Sequence, residues 1–162
     1  MAGGSRGWWF EDAIPGQVIR HPGGRTIDSA EHVWLAWITH NVSDVHGNAD
    51  SAGRTEWGRP LVLGMLSVAI VVGLAEPAMG PEDTAAVGHD AGWGAIKLEH
   101  PVFAGDTLRA ESLIERVESV EAAPYGRVER TILGRKQDGT VAVRITEERD
   151  ILRRIRAGGD DG

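Results

Sequence analysis

Cysteine is absent from the sequence. That absence excludes disulfides, zinc–thiolate sites, iron–sulfur clusters and a cysteine nucleophile, and it leans towards a reducing cytoplasm as the working compartment. A basic excess is also missing. Lys and Arg number 17 against 24 Asp and Glu, for a net charge of −7, and the pI is about 5.3. A nucleic-acid-binding domain usually carries the opposite balance, so no nucleic-acid partner is expected. No apolar run is long enough for a bilayer. The longest charge-free stretch of that kind, residues 61–75 (LVLGMLSVAIVVGLA), has 15 residues between Arg59 and Glu76, whereas a spanning helix needs about 20. It reads as a helix buried inside a soluble fold, with no membrane partner. Residues 1–7 carry one Arg and no apolar core, and are not expected to be a signal peptide. The G-x-S-x-G elbow, the Walker loop, G-x-G-x-x-G after a strand and H-E-x-x-H are all missing, and no metal or organic cofactor is expected.

What remains is an ordinary globular composition, 41% hydrophobic and 25% charged over 162 residues. The length suits one domain, placed at residues 8–156, with small, polar, Gly-rich tails at 1–7 and 157–162 expected to be disordered. The first half reads as helical. Short extended segments at 17–20 and 25–27 precede a helix capped at Ser29, where His32 leaves the capping box incomplete and Glu31 favours the helix dipole. Val33, Trp34, Trp37 and Ile38 recur on one face of that helix, which marks them as core or pocket wall. Residues 41–55 have turn composition, with a one-turn helix near Asp50. Pro60 suits the first turn of the buried helix.

After Gly80-Pro81 the pattern changes to period two. Val87 and residues 91–98, 107–120, 126–135 and 141–152 read as strands, with a hairpin turn at Gln137-Asp138-Gly139. Long strands joined by short loops imply a meandering antiparallel sheet. Such a sheet and one wholly apolar helix have a natural solution, in which the sheet curls around the helix. The expected class is therefore α+β, the hot-dog arrangement. One sheet of this size cannot cover the helix on all sides, so a homodimer or higher homo-oligomer is expected.

The densest polar chemistry lies between His40 and His46, with Asn41, Ser43 and Asp44 between them. Gly64, early in the buried helix, lies where backbone N–H groups lack partners and the helix dipole is positive, which suits a developing oxyanion.

These segments carry a family resemblance. Residues 8–154 resemble the MaoC-like dehydratases, the (R)-specific enoyl-CoA hydratase family. The matching pieces are WWFEDAIPGQVIRH, RTIDSAEHVWLAWITHNVSDVHGN, WGRPLVLGMLSVAIVVGL and HPVFAGDTLRAES, with His46, Trp57, Arg59-Pro60 and Gly64-Met65 at the family's spacing. The family motif resembles G-D-x-N-P-x-H, and its seven positions fall on residues 40–46. Its Asp falls on Asn41, its Asn on Ser43 and its Pro on Asp44. The opening segment and GRPLV resemble the branch of itaconyl- and mesaconyl-CoA hydratases, in which Asn also tends to stand at the first of these places.

The resemblance implies water addition to, or removal from, a 2-enoyl thioester carried by CoA or a carrier protein. It implies His46 as acid/base, Asn41 as water-orienting, Gly64 as oxyanion donor and Asp44 as a candidate second carboxylate. Trp34, Trp37, Trp57, Arg59 and Met65 are candidate substrate-binding residues. Each has a plainer reading. Asn41 is equally a helix C-cap, Asp44 a turn residue, Gly64 a close-packing position and Arg59 a salt-bridge partner. Two other functions stay open: a hot-dog acyl-thioesterase, and a non-catalytic subunit that binds acyl thioesters.

Overall fold

The computed structural model describes residues 8–76 and 87–154. The expected tails and the Gly80-Pro81 junction lie outside the described residues.

A 3-10 turn at Phe10–Asp12 leads into strands β1 (Val18–Arg20) and β2 (Arg25–Thr26). Helices α1 (Ser29–Ile38), α2 (Asp44–Gly47), α3 (Ala49–Gly53) and α4 (Gly64–Ala75) follow. Strands β3 (Val87–Leu98), β4 (Thr107–Ser119), β5 (Tyr125–Arg135) and β6 (Val141–Leu152) complete the chain. The strands form one six-stranded antiparallel sheet in the order β1-β4-β5-β6-β3, with β2 paired to β4. Only β4, β5 and β6 meander. The expectation of a continuous meander fails at β3, which pairs with β6 and forms an edge. The segment after β3 explains why. It is held against the strap before α4, where Val62 N–H donates to Val102 O at 2.9 Å, and so runs past the helix start before β4 begins.

The hot-dog reading holds. Leu66, Val68, Ile70, Val71 and Ala75 of α4 pack into a core with Leu108, Ala110, Ile132, Val143 and Ile145 of the sheet. On β5 every second residue is buried, from Gly126 to Gly134. Gly134 lies where α4 touches the sheet, and a Cβ there would collide with the Val71 side chain. A second apolar cluster, Ala13, Ile114, Val128 and Ile151, packs at the other end of the sheet with Phe10 and Ile19. Between the two lies a buried polar layer. Arg130 Nε donates to Glu147 at 2.6 Å, both side chains fully enclosed, and His21 Nε2 meets Ser112 Oγ at 2.8 Å.

Three helical expectations need correction. The N-cap of α1 is Asp28, one residue before Ser29. Its carboxylate accepts from Ala30 N–H, and Glu31 accepts from Asp28 N–H, so the capping box is complete in the shifted register. The buried side of α1 carries His32 and Ala36, whereas Trp34, Trp37 and Ile38 are 63%, 68% and 71% exposed. The tryptophans are not core, because the small Ala36 and the hydrogen-bonded His32 are what fit against the body of the protein. Finally, α4 starts at Gly64. Residues 61–63 are an extended strap, so Pro60 precedes the helix rather than lying in its first turn.

The described strands otherwise match their expected positions to within a residue or two, except that β3 runs unbroken from Val87 to Leu98. Asp50 lies in α3, and the 137–139 turn is closed by the Lys136–Thr140 backbone hydrogen bond. Among the described residues no helix is long and apolar enough to cross a membrane.

Burial and the nearby Arg130 guanidinium lower the His21 imidazole from 6.5 to about 4. On unfolding the ring regains its ordinary affinity for protons, so the unfolded chain binds more of them between those values. Stability from this group is full above pH 6.5 and is lost as pH falls towards 4, by up to about 3 kcal/mol. Urea titrations should show the unfolding midpoint falling across this window, with a flatter dependence in His21→Gln.

Candidate active site

The turn after α1 sets the position of everything that follows. Helix α1 ends in a Schellman motif: His40 N–H donates to Trp37 O at 3.1 Å and Asn41 N–H to Ala36 O at 2.9 Å. The left-handed residue is His40, with φ +53°, and not Asn41, the C-cap candidate of the sequence. Asn41 instead accepts Ser43 N–H on Oδ1 at 3.1 Å, and that Asx turn launches α2.

His46 lies in α2. Its backbone is tied to the strap by Leu61 N–H donating to Val45 O at 3.0 Å. Its ring Nδ1 lies 2.8 Å from Leu61 O. A carbonyl can only accept, so Nδ1 carries the proton and Nε2 carries the free lone pair. No hydrogen bond from the described residues reaches Nε2.

A residue that the sequence does not mark out holds this geometry together. His32 is buried, and its Nδ1 accepts Leu63 N–H at 3.2 Å. Its Nε2 must then bear the proton, which it donates to His46 O at 2.9 Å. One neutral imidazole therefore ties α1, α2 and the residue before α4 together. The available signal was a polar residue sharing the small-residue face of α1 with Ala36, opposite the tryptophans.

Leu63 is thus satisfied, but the next donors are not. Among the described residues the N–H groups of Gly64 and Met65 have no acceptor, as the start of a twelve-residue helix dictates. Gly64 is also packed closely. A Cβ would meet the terminal methyl of Leu98 of β3, a side chain 57% exposed and free to turn away, so close packing alone does not demand glycine here.

His46, Gly64 and Trp57 line one cavity of about 390 Å³ against Leu61, Val102 and Val143. Three further polar groups of its wall, Ser67, Glu99 and His100, were not anticipated; the His100 ring Nδ1 lies 2.7 Å from Val141 O. Arg144 Nε, 2.7 Å from the Glu99 carboxylate, holds that carboxyl below the usual range.

The other expected residues lie elsewhere. Asn41 and Asp44 line a separate cavity with Trp37, and Asp44 accepts the Ser51 hydroxyl at 3.0 Å. Asn41 and Met65 share an open groove with Leu35 and Ala69. Trp34 packs edge-on against Trp37 at 5.9 Å. Arg59 stacks over the Phe103 ring at 4.0 Å, with Trp57 on that same ring at 6.5 Å. The chain therefore unites His46, Gly64 and Trp57, and leaves Asn41, Asp44, Trp34, Trp37, Arg59 and Met65 outside their cavity. Among the described residues no cluster of His and carboxylates is arranged to hold a metal ion.

Comparison with known proteins places this geometry in context. Residues 11–136 match the family model described as the MaoC like domain. Among solved structures, the MaoC-like dehydratase from Rhodospirillum rubrum aligns with a TM-score of 0.80 at 19% identity, covering 93% of this chain and 100% of that one. The (R)-hydratase PhaJ1 from Pseudomonas aeruginosa aligns at 0.71 and 19%, over 96% of this chain and 95% of that one. The (R)-hydratase from A. caviae, involved in PHA biosynthesis, aligns at 0.62 and 25%, covering 86% and 96% respectively. No curated protein sequence matches the chain.

Replacing His32 by Leu leaves Leu63 N–H and His46 O buried without partners. We expect a loss of about 2–4 kcal/mol in urea unfolding. His32→Gln, which can accept and donate, should lose less.

Proposed function

Because the chain belongs to the MaoC-like dehydratase family, we propose that it is a hydro-lyase that adds water to, or removes it from, a 2-enoyl thioester borne by CoA or a carrier protein. The observation that carries this reading is one cavity holding both an imidazole with an open Nε2 and an unpaired N–H at a helix start.

In the hydration direction the thioester oxygen lies against Gly64 N–H, where the dipole of α4 opposes the charge that develops on it; such a donor supplies ~3–4 kcal/mol. His46 Nε2 takes a proton from water as its oxygen bonds to the β-carbon. The protonated ring then returns a proton to the α-carbon. The Nδ1–H bond to Leu61 keeps the ring in one tautomer through the cycle. Asn41 cannot be a base. Its Oδ1 is engaged by Ser43, and it faces a cavity separate from that of His46, so in a single copy of the chain it carries no step here. Asp44 reads best as a turn residue bound by Ser51. Arg59 and Trp57, joined through Phe103, are candidates to meet the thioester's handle beside the cavity.

A homodimer is part of the proposal. Met65, Ala69 and Gly73 form an exposed stripe along α4, and the edge strand β3 presents Trp93, Ile96 and Leu98 to solvent. A second copy would cover both. We place the protein in the cytoplasm and assign it no metal or organic cofactor. Light scattering should give at least a dimer at micromolar concentration, and activity should survive dialysis against a chelator.

Glu99 favours a second reading. A thioesterase needs a carboxylate to activate water, and Glu99 lies in the wall of the His46 cavity. The two reactions separate cleanly: hydration removes the absorbance of the conjugated enoyl thioester, whereas hydrolysis releases a free thiol.

His46→Ala should lower hydration by about 10²–10⁴-fold while leaving analogue binding nearly intact. Asn41→Asp rebuilds the family's carboxylate and should preserve or raise the rate. Asp44→Asn should be near normal. A loss matching that of His46→Ala would assign Asp44 the carboxylate role instead.

A further inference from the structure

Ser67 is a buried hydroxyl with no use in the fold. Its residue is 1% exposed, yet it belongs to the wall of the cavity that holds His46 and Gly64. Its Oγ has no hydrogen-bond partner among the described residues. A helical serine usually donates back to the carbonyl four residues earlier. Here that carbonyl, Leu63 O, already accepts Leu66 N–H at 3.0 Å and Ser67 N–H at 3.3 Å. Leaving such a group unpaired is destabilising, and native proteins rarely keep one without a reason.

Its position supplies the reason. Ser67 stands three residues after Gly64, so the two are neighbours on one face of α4. Helical side chains lean towards the N-terminus, which carries this hydroxyl over the turn that Gly64 opens. At that turn the Gly64 N–H is also without an acceptor among the described residues. Two donors lacking acceptors, next to each other in an apolar cavity, suit an oxygen that becomes negative. The lone pair of His46 Nε2 is the complementary feature in the same space.

We propose that Ser67 Oγ–H is a catalytic residue, the second hydrogen-bond donor to the thioester carbonyl oxygen beside Gly64 N–H. This rests on the proposed thioester chemistry but not on its outcome as hydration. The hydroxyl stays protonated throughout. It donates to the neutral carbonyl weakly and to the enolate-like oxygen strongly, so its effect falls on turnover rather than on affinity.

The test uses the full chain, Ser67→Ala and Ser67→Cys, with crotonyl-CoA as substrate and butyryl-CoA, ¹³C-labelled at the thioester carbonyl, as the bound probe for difference infrared spectroscopy. In Ser67→Ala we expect kcat to fall roughly 10²-fold with KM little changed. The carbonyl band of the bound probe should return part of the way to its position in water, with Ser67→Cys between the two. The melting temperature should rise, because an unpaired buried hydroxyl has been removed. A structural serine would give the opposite melting shift. An unchanged kcat, an unmoved carbonyl band or a lower melting temperature would each overturn the proposal. If crotonyl-CoA is not hydrated but the probe's band still depends on Ser67, the hydro-lyase reading fails and this one stands. Hydration that survives Ser67→Ala undiminished does the reverse, sinking the role of Ser67 and sparing the hydro-lyase. A wild type that does not bind the probe removes both.

Discussion

Helix α4 has no polar face, and that constraint organises the molecule. A twelve-residue helix reading GMLSVAIVVGLA offers water no polar side, and only the narrow stripe of Met65, Ala69 and Gly73 stays exposed on it. The sheet curls so that β4, β5 and β6 each present an apolar row to it, and Gly134 gives up its side chain so that Val71 can approach. A helix leaves backbone donors unpaired only in its first turn, and the sheet and strap direct that turn of α4 to the His46 cavity.

The imidazole of His46 is useful only if it stays at a constant distance from that first turn. The strap of residues 61–63 provides this. Each of its backbone N–H groups is assigned, to Val45, to Val102 and to the His32 ring, and one of its carbonyls takes the His46 proton. The proposed base and the proposed oxyanion donor are held by the same three residues. A displacement of α2 would carry the strap, and so the start of α4, with it. His32 is a structural histidine by partner count, but both of its partners belong to the reacting geometry.

The family motif and the strand periodicity made the fold legible in the sequence. The period-two pattern placed β5 even though Arg130, between Val128 and Ile132, interrupts its apolar face, and the apolar run at 61–75 pointed to a buried helix. Helix α1 misled because hydropathy alone cannot tell a face that packs within a chain from one that stays bare on it. Val33, Trp34, Trp37 and Ile38 have the spacing of a core stripe and lie outside. His32 and Ser67 were invisible for a related reason. A polar residue among apolar ones shows its value only through partners, Leu63 and His46 for the first and none for the second, and these come from distant parts of the chain. Asn41 and Asp44 follow the motif's spacing, but the Schellman turn at His40 and the Ser51 hydroxyl direct them to a different cavity from that of His46.

The polar layer of Arg130, Glu147, His21 and Ser112 divides the interior in two. On one side lie α4, the strap and the His46 cavity; on the other lie the 3-10 turn, β1 and the small cluster around Val128. Apolar cores unfold together when their contacts are continuous, and a charged seam interrupts that continuity. The end holding Phe10 is kept in place by its ring over Gly126, by the Arg153 guanidinium above that ring and by the Arg154–Asp12 ion pair. Strands β4, β5 and β6 cross the seam unbroken, so the two halves share one backbone ladder while each keeps its own apolar filling. The seam acts as a firebreak for side-chain packing, setting the amino-terminal segment apart from the half that holds the His46 cavity.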